Sequence, residues 1–169
     1  SEVGIDYAFQ PFDFKTRARR LDKSPPERRL RLEVGTFYSF KNATPGNTKQ
    51  YRILGMFAKG VYYVGRWSGV TLGTEYVADH SRRIRMDIGN LPGTADRGSF
   101  LIGHQFLLGR VVFSQELGIY YMDQFRVNDP VYQRFGLLVF LTKNFFAGVN
   151  LKTHRHVADF ADLRVGWEF

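Results

Sequence analysis

The sequence predicts an all-β chain folded as a single antiparallel, up-and-down transmembrane β-barrel. Eight strands fit its length best, and ten is the alternative. Three observations carry this. Extended stretches alternate apolar and polar residues with period two, as a pleated strand requires, because successive side chains leave it on opposite sides. Connections between the stretches alternate long and short, as where tight turns face one side of a membrane and loops the other. Aromatics make up 16% of the 169 residues and Gly numbers 17, a profile suited to aromatic girdles and tight bends. The mean hydropathy of −0.28 agrees with a barrel, in which half of each strand is polar. No run approaches the ~18 apolar residues of a membrane helix.

Other classes fall away on composition. There is no cysteine, so disulfide scaffolds and thiolate metal sites are excluded. With 24 Lys and Arg against 16 Asp and Glu, the net charge of +8 leaves nucleic acid, anionic lipid or an acidic protein surface as partners. Nucleic acid is set aside because no recognition helix, RNA-binding signature or basic aromatic platform is present. No leader is visible at Ser1, so an exported chain is expected to be numbered after processing. Residues 1–169 read as one domain without internal repeats.

Nine extended segments are read in order. Val3 to Phe14 is the first, followed by a basic loop in which Pro25 and Pro26 prevent regular structure. Leu30 to Lys41 alternates again, with Leu30, Leu32, Val34, Thr36, Tyr38 and Phe40 opposite Arg31, Glu33, Gly35, Phe37, Ser39 and Lys41. After the turn signal NATPGN, Tyr51 to Arg66 is rich in Tyr and Val but alternates poorly. Trp67-Ser68-Gly69 reads as a tight turn before Val70 to Asp79. A polar loop from His80 to Arg97 then carries Arg82, Arg83 and Arg85. Ser99 to Leu108 and Arg110 to Asp123 flank Gly109; in the second, Gln115 is a polar misfit on the apolar face. Past the loop QFRVNDP, Tyr132 to Leu141 and Phe146 to His156 meet at Thr142-Lys143-Asn144. Nine is odd, whereas a single-chain bacterial barrel has an even strand number, so either one strand is split or unread, or the first segment is not an ordinary wall strand.

The last strand has the strictest pattern. Asp162, Arg164, Gly166 and Glu168 share one face; Leu163, Val165, Trp167 and Phe169 share the other. A chain closing on an aromatic at the end of such a strand resembles the C-terminal assembly signal of bacterial outer-membrane barrels, carried here by Trp167 and Phe169. The stretch VYQRFGLLVFLTKNFFAGVNLKTHRHVADFADLRVGWEF further resembles the C-terminal part of acyloxyacyl-hydrolase-like outer-membrane proteins, relatives of the lipid A 3-O-deacylase barrel. GVTLGTEYVADHS and FSQELGIYYMD extend the likeness more loosely. The resemblance implies the bacterial outer membrane, an eight-stranded barrel, and a His-x-Ser pair on the penultimate strand with an acid on the last. In that triad serine attacks the ester and histidine is its base.

His154 falls at the family histidine, but His156 occupies the serine's place, and Asp159 or Asp162 the acid's. His154 and Asp162 are therefore the catalytic candidates, with no nucleophile identified. The competing reading places Glu116, Arg134, Lys152, His154, His156, Asp162, Arg164 and Glu168 in a polar network filling the barrel, where buried charges must be paired. A metal between the two histidines lacks a third ligand nearby, and no cofactor is expected. Arg82, Arg83 and Arg85 are candidates for lipid phosphate, whose geometry suits guanidinium forks.

Two function classes result. The preferred one is a catalytically silent outer-membrane barrel that binds lipid or lipopolysaccharide, or serves as a structural partner in a membrane-protein complex of the envelope. The alternative is a lipid A deacylase-type esterase using His154. A soluble ligand-binding barrel is a weaker third, since it needs an apolar interior.

Overall fold

In the computed structural model, which describes residues 29–42, 49–123, 129–155 and 157–169, eight strands close on themselves in chain order. They are β1 (Leu30–Asn42), β2 (Gln50–Tyr63), β3 (Ser68–Asp79), β4 (Arg97–Leu108), β5 (Val111–Met122), β6 (Val131–Phe140), β7 (Phe145–His154) and β8 (Val157–Glu168). Every neighbouring pair is antiparallel, and the seam is closed by β1 on β8, from Glu33 opposite Glu168 to Tyr38 opposite Leu163. The connections at 64–67, 109–110 and 141–144 are tight and lie at one end of the barrel, the turn end. In the middle one, Gly109 adopts φ 70, a conformation that suits glycine.

Eight wall strands form the barrel among the described residues, the number the length favours; the Val3–Phe14 segment and residues 43–47 of the NATPGN turn lie outside them. Other expectations are corrected. The polar loop after β3 contains a helix, α1 (His80–Ile88), and Arg97 opens β4 instead of ending a loop. Asp79 starts the helix: its carboxylate accepts the Arg82 backbone N–H at 3.0 Å, satisfying a donor that a helix start leaves unpaired. Ser68 and Gly69 belong to β3, so the tight turn ends at Trp67.

The weak alternation of β2 has a physical cause. Its inward residues Ile53, Phe57, Val61 and Tyr63 are themselves apolar, interrupted by buried Lys59, so both faces read as hydrophobic. With Leu107, Val112, Leu138, Phe140 and Phe146 they contribute to a dry apolar cluster inside the barrel.

The outside is an apolar wall. Met56, Leu72, Ile102, Leu117 and Leu163 are exposed around the belt. Tyr38, Phe40, Tyr76, Phe100 and Tyr121 ring the loop end, and Tyr62, Trp67, Phe106, Trp167 and Phe169 ring the turn end. Two aromatic girdles bordering an apolar band are the surface of a membrane-spanning barrel.

Charge fills the inside. Six buried cations (Lys59, Arg82, Arg97, Arg134, Lys152 and Arg164) balance six buried anions (Glu33, Glu75, Asp79, Glu116, Asp162 and Glu168) among the described residues. Lys59 bridges Glu116 at 2.7 Å and Glu33 at 3.3 Å. Above it, Arg134 and Arg164 reach Glu75 at 2.8 and 3.1 Å and Asp162 at 2.5 and 2.8 Å. Phe37 lies under both guanidinium groups, at 4.9 and 4.8 Å from ring centre to Cζ. This interior is the reverse of the apolar cavity a soluble ligand-binding barrel needs.

Two outcomes are expected. Val165→Arg or Leu137→Arg places a cation on the exposed wall and should cost about 2–4 kcal/mol near the midplane. Urea unfolding of lipid-reconstituted variants measures this, and a cost no greater than that of Val131→Arg, on the same wall at the loop end, would contradict a membrane-embedded wall. Glu75→Gln removes the carboxylate shared by Arg134 and Arg164, and stranding those cations should cost about 3–5 kcal/mol in the same assay.

Candidate functional site

The catalytic candidate His154 lies at the loop end of the barrel, where β7 and β8 turn over. On β7, Lys152 and His154 point inward by parity. Across the hairpin the register shifts: Lys152 pairs with Phe160 but Thr153 with Ala158, leaving Asp159 as an extra residue on β8. Such a bulge re-aims side chains. Here consecutive residues both turn inside, and Asp159 forms an ion pair with Lys41 while Phe160 is buried.

His154 is half-sheltered between Asp159 and two tyrosines. Its Nδ1 lies 3.8 Å from the Asp159 carboxylate, and its Nε2 lies 3.4 Å from the Tyr120 hydroxyl. Both separations exceed a good hydrogen bond of about 2.7–3.2 Å. The ring stacks on Tyr120 at 6.2 Å with planes inclined by 19°. Tyr120 in turn accepts from Arg97 at 3.1 Å, and Arg97 is bridged to Asp79 at 2.9 Å. Since Asp79 also caps α1, a continuous polar chain runs from the histidine to the helix over the mouth.

Beneath it, the Lys152 ammonium sits 3.7 Å over the Tyr132 ring centre and 3.8 Å from Glu75. The Tyr132 hydroxyl contacts Ser99 at 2.5 Å and Glu75 at 3.2 Å. Gly118 makes room for that ring, because a Cβ there would overlap it. The lysine is held by a tyrosine face, which attracts a cation through its quadrupole.

The candidate pair His154 and Asp162 is not brought together. Asp162 lies opposite Asn150 and is taken by Arg134 and Arg164, while Asp159 stands beside the histidine. Ser114 is aligned through Gly136 with Asn150, four residues down β7 from His154, or about 13 Å along the strand. Thr153 is on the other face of the strand. His156 lies outside the described residues.

Glu116, Arg134, Lys152, Asp162, Arg164 and Glu168 all lie inside, Glu168 bridging Arg31 at 2.8 Å and Tyr63 at 2.9 Å. Of the helix arginines, Arg82 is buried and ion-paired with Asp123, Arg85 is partly covered, and Arg83 is exposed. Trp167 and Phe169 face outward at the turn end, and the Phe169 N–H donates to Leu32 at 2.9 Å across the seam.

Sequence reasoning missed the aromatic part of this site. Tyr132 was legible from parity with Arg134, and Tyr120 from parity with Glu116 and Gly118. Chemically the mouth can hold and orient charge. The hydroxyl that meets His154 is a phenol, and the histidine faces the interior, away from the membrane.

The family model for the acyloxyacyl hydrolase C-terminal domain matches residues 30–169, the whole barrel. No curated protein matches the chain significantly in sequence. Among solved structures, a de novo designed transmembrane β-barrel superposes with a TM-score of 0.48 at 10% identity, covering 83% of this chain and 94% of the design. Ail, the attachment invasion locus protein of Yersinia pestis, superposes with a TM-score of 0.44 at 12% identity, covering 83% of this chain and 97% of Ail. With eight strands, an apolar outer wall and the family match over the full barrel, the chain belongs to the acyloxyacyl hydrolase C-terminal domain family and is a β-barrel of the bacterial outer membrane.

Proposed function

We propose that this barrel is catalytically silent at the family's deacylation position and acts as a lipid-binding or structural component of an outer-membrane complex. The observation behind this is the placement of His154. An acyl ester lies among lipids outside the wall, whereas this imidazole points into the charged interior, with the Tyr120 hydroxyl at 3.4 Å. A serine-type mechanism needs a nucleophile within about 2.6–3.2 Å of the base, open to substrate. Lipid contact instead falls to the outer wall and to basic residues at its loop end. Arg52 and Arg83 are exposed there, and Arg85 is partly so; guanidinium forks at that height suit the phosphates of lipid A or another anionic envelope lipid.

One observation favours the esterase reading. Asp159 stands beside His154, where a triad acid would orient the ring. Mass spectrometry of lipid A from cells with and without the protein decides between the two. Silence predicts identical acylation, and His154→Ala should then leave lipid A unchanged while lowering stability by about 1 kcal/mol through lost polar contacts. Loss of a measured deacylation in a folded His154→Ala barrel would establish the esterase instead.

The terminal aromatic offers a separate check. Deleting Phe169 removes one exposed side chain and two seam hydrogen bonds with Leu32, so a refolded barrel should lose about 1–3 kcal/mol. If Trp167 and Phe169 act as an assembly signal, the amount reaching the outer membrane should fall far more than that loss explains. Unchanged surface levels after the deletion would argue against the signal.

A further inference from the structure

The outer wall is apolar, yet one cluster on it is not. Ser68 on β3, His104 on β4 and Gln115 on β5 all take outward positions at neighbouring places. Ser68 Oγ lies 2.5 Å from His104 Nε2. Gln115 is directly opposite His104 across the ladder, so their Cβ atoms are about 4.5–5.5 Å apart. The Phe106 ring stands edge-on to the imidazole at 4.4 Å.

The height of the cluster is set by the strands that carry it. Ser68 is the first residue of β3, at the turn end; His104 pairs with Val70, two residues up β3, and it and Gln115 are each four residues, roughly 13 Å along the strand, from the β4–β5 turn. That end carries the tight turns and the final strand's terminus, and in bacterial barrels it faces the periplasm. Trp67 and Phe106, flanking the cluster, belong to the girdle at this border. The cluster therefore sits where the phosphate and ester groups of the periplasmic leaflet lie.

Proton counting gives the chemistry. A neutral serine–histidine pair carries two polar hydrogens, the serine O–H and one ring N–H. Their mutual hydrogen bond uses one. The second is left over in either tautomer; His104 Nδ1 is itself covered by protein atoms, so the hydrogen open to the membrane is the serine O–H, freed when Nε2 donates to Oγ. Against lipid, water cannot serve it freely, and an unpaired polar group there is costly. Gln115, exposed, brings two more amide hydrogens. Arg66, exposed in the turn just before Ser68, lies over the Trp67 ring at 5.6 Å and adds a cation on the periplasmic side. The site holds a surplus of donors and a positive charge, facing a membrane.

We propose that Ser68, His104 and Gln115, with Arg66 beside them, form a binding site for one glycerophospholipid of the periplasmic leaflet. Such a lipid presents acceptors alone along this stretch: a phosphate diester for Arg66, and ester carbonyls for the leftover hydrogen of the serine–histidine pair and the amide of Gln115. Its acyl chains then run up the apolar wall past Leu72 and Ile102, both exposed. The proposal depends on the orientation of the barrel and not on whether His154 is active, so failure of either leaves the other standing.

Native mass spectrometry of the full chain released from phosphatidylglycerol–phosphatidylethanolamine nanodiscs tests it. The folded wild type should keep one phospholipid under activation that strips the rest. Ser68→Val combined with His104→Leu should cut that retained fraction at least about tenfold. His104→Gln, which keeps a donor, should preserve most of it. Gln133→Leu, a polar-to-apolar change at an exposed position at the loop end, should have no effect. Heat-modifiable migration in electrophoresis confirms that each variant is folded. Retention within twofold of wild type in the double variant would overturn the site, as would equal loss in Gln133→Leu or in His104→Gln. Displacement by millimolar inorganic phosphate would show a phosphate site instead of a phospholipid site, and equal retention of lipid A in place of phospholipid would overturn the assignment to the periplasmic leaflet.

Discussion

The barrel depends on charge balance in a space closed to bulk water. An eight-stranded barrel is just wide enough for its own side chains, so its interior polar groups must satisfy one another. Here six cations meet six anions, and a rung of ion pairs occupies each height. Arg31 meets Glu168 near the turn end, Lys59 meets Glu33 and Glu116 above, Arg134 and Arg164 meet Glu75 and Asp162, and Arg97 meets Asp79 at the mouth. Such pairs contribute little net stability, because desolvation offsets much of their attraction. What they enforce is register. A slip of one residue on any strand would send its charges into lipid and its leucines into the network. Aromatic rings complete the packing: Phe37 and Phe57 back the guanidinium groups where a further charge would unbalance them.

Much of this was legible because a membrane wall and a charged interior write opposite residues on alternate positions. β8 from Asp162 on shows the pattern without a break and β1 departs from it only around Thr36 and Phe37; Leu163 and Val165 against Asp162 and Arg164 fall on the faces that alternation assigns. Legibility failed where one of the two faces changed character. On β2 the interior is aromatic and aliphatic near the turn end, so Lys59 reads as an intrusion in an apolar strand when it is a member of the network. The helix after β3 was hidden by its arginines, which read as loop composition. Its signal was the Asp79 cap, a short acid placed just before His80 and Ser81.

The pairing of His154 with its acid failed for a different reason. Alternation counts residues, and a bulge inserts one that the count does not foresee. Asp159 should face lipid by parity with Ala161 and Leu163, both exposed, yet its carboxylate lies inside against Lys41. The unmatched residue at the Lys152/Thr153 register shift has no fingerprint in composition, since neither glycine nor proline marks it. Asp162, the candidate that parity favoured, is instead two inward positions deeper and committed to arginines.

That bulge also bears on what the hairpin can do. The same extra residue placed on β7 between Lys152 and His154 would have reversed the histidine and turned it to the lipid, where an acyl ester could meet it. Placed on β8, it leaves His154 inside and draws a carboxylate in after it, and that carboxylate is held by Lys41 as well as facing the imidazole. The acid is thus shared with a cation, and the ring rests on Tyr120 in a chain of contacts that continues through Arg97 to Asp79 and the cap of α1. The geometry of the hairpin couples the histidine to the helix over the mouth and separates it from the membrane outside. On the proposed silent reading, a base working on lipid outside the wall needs the opposite arrangement, so the placement of one unpaired residue weighs more than the presence of the histidine itself.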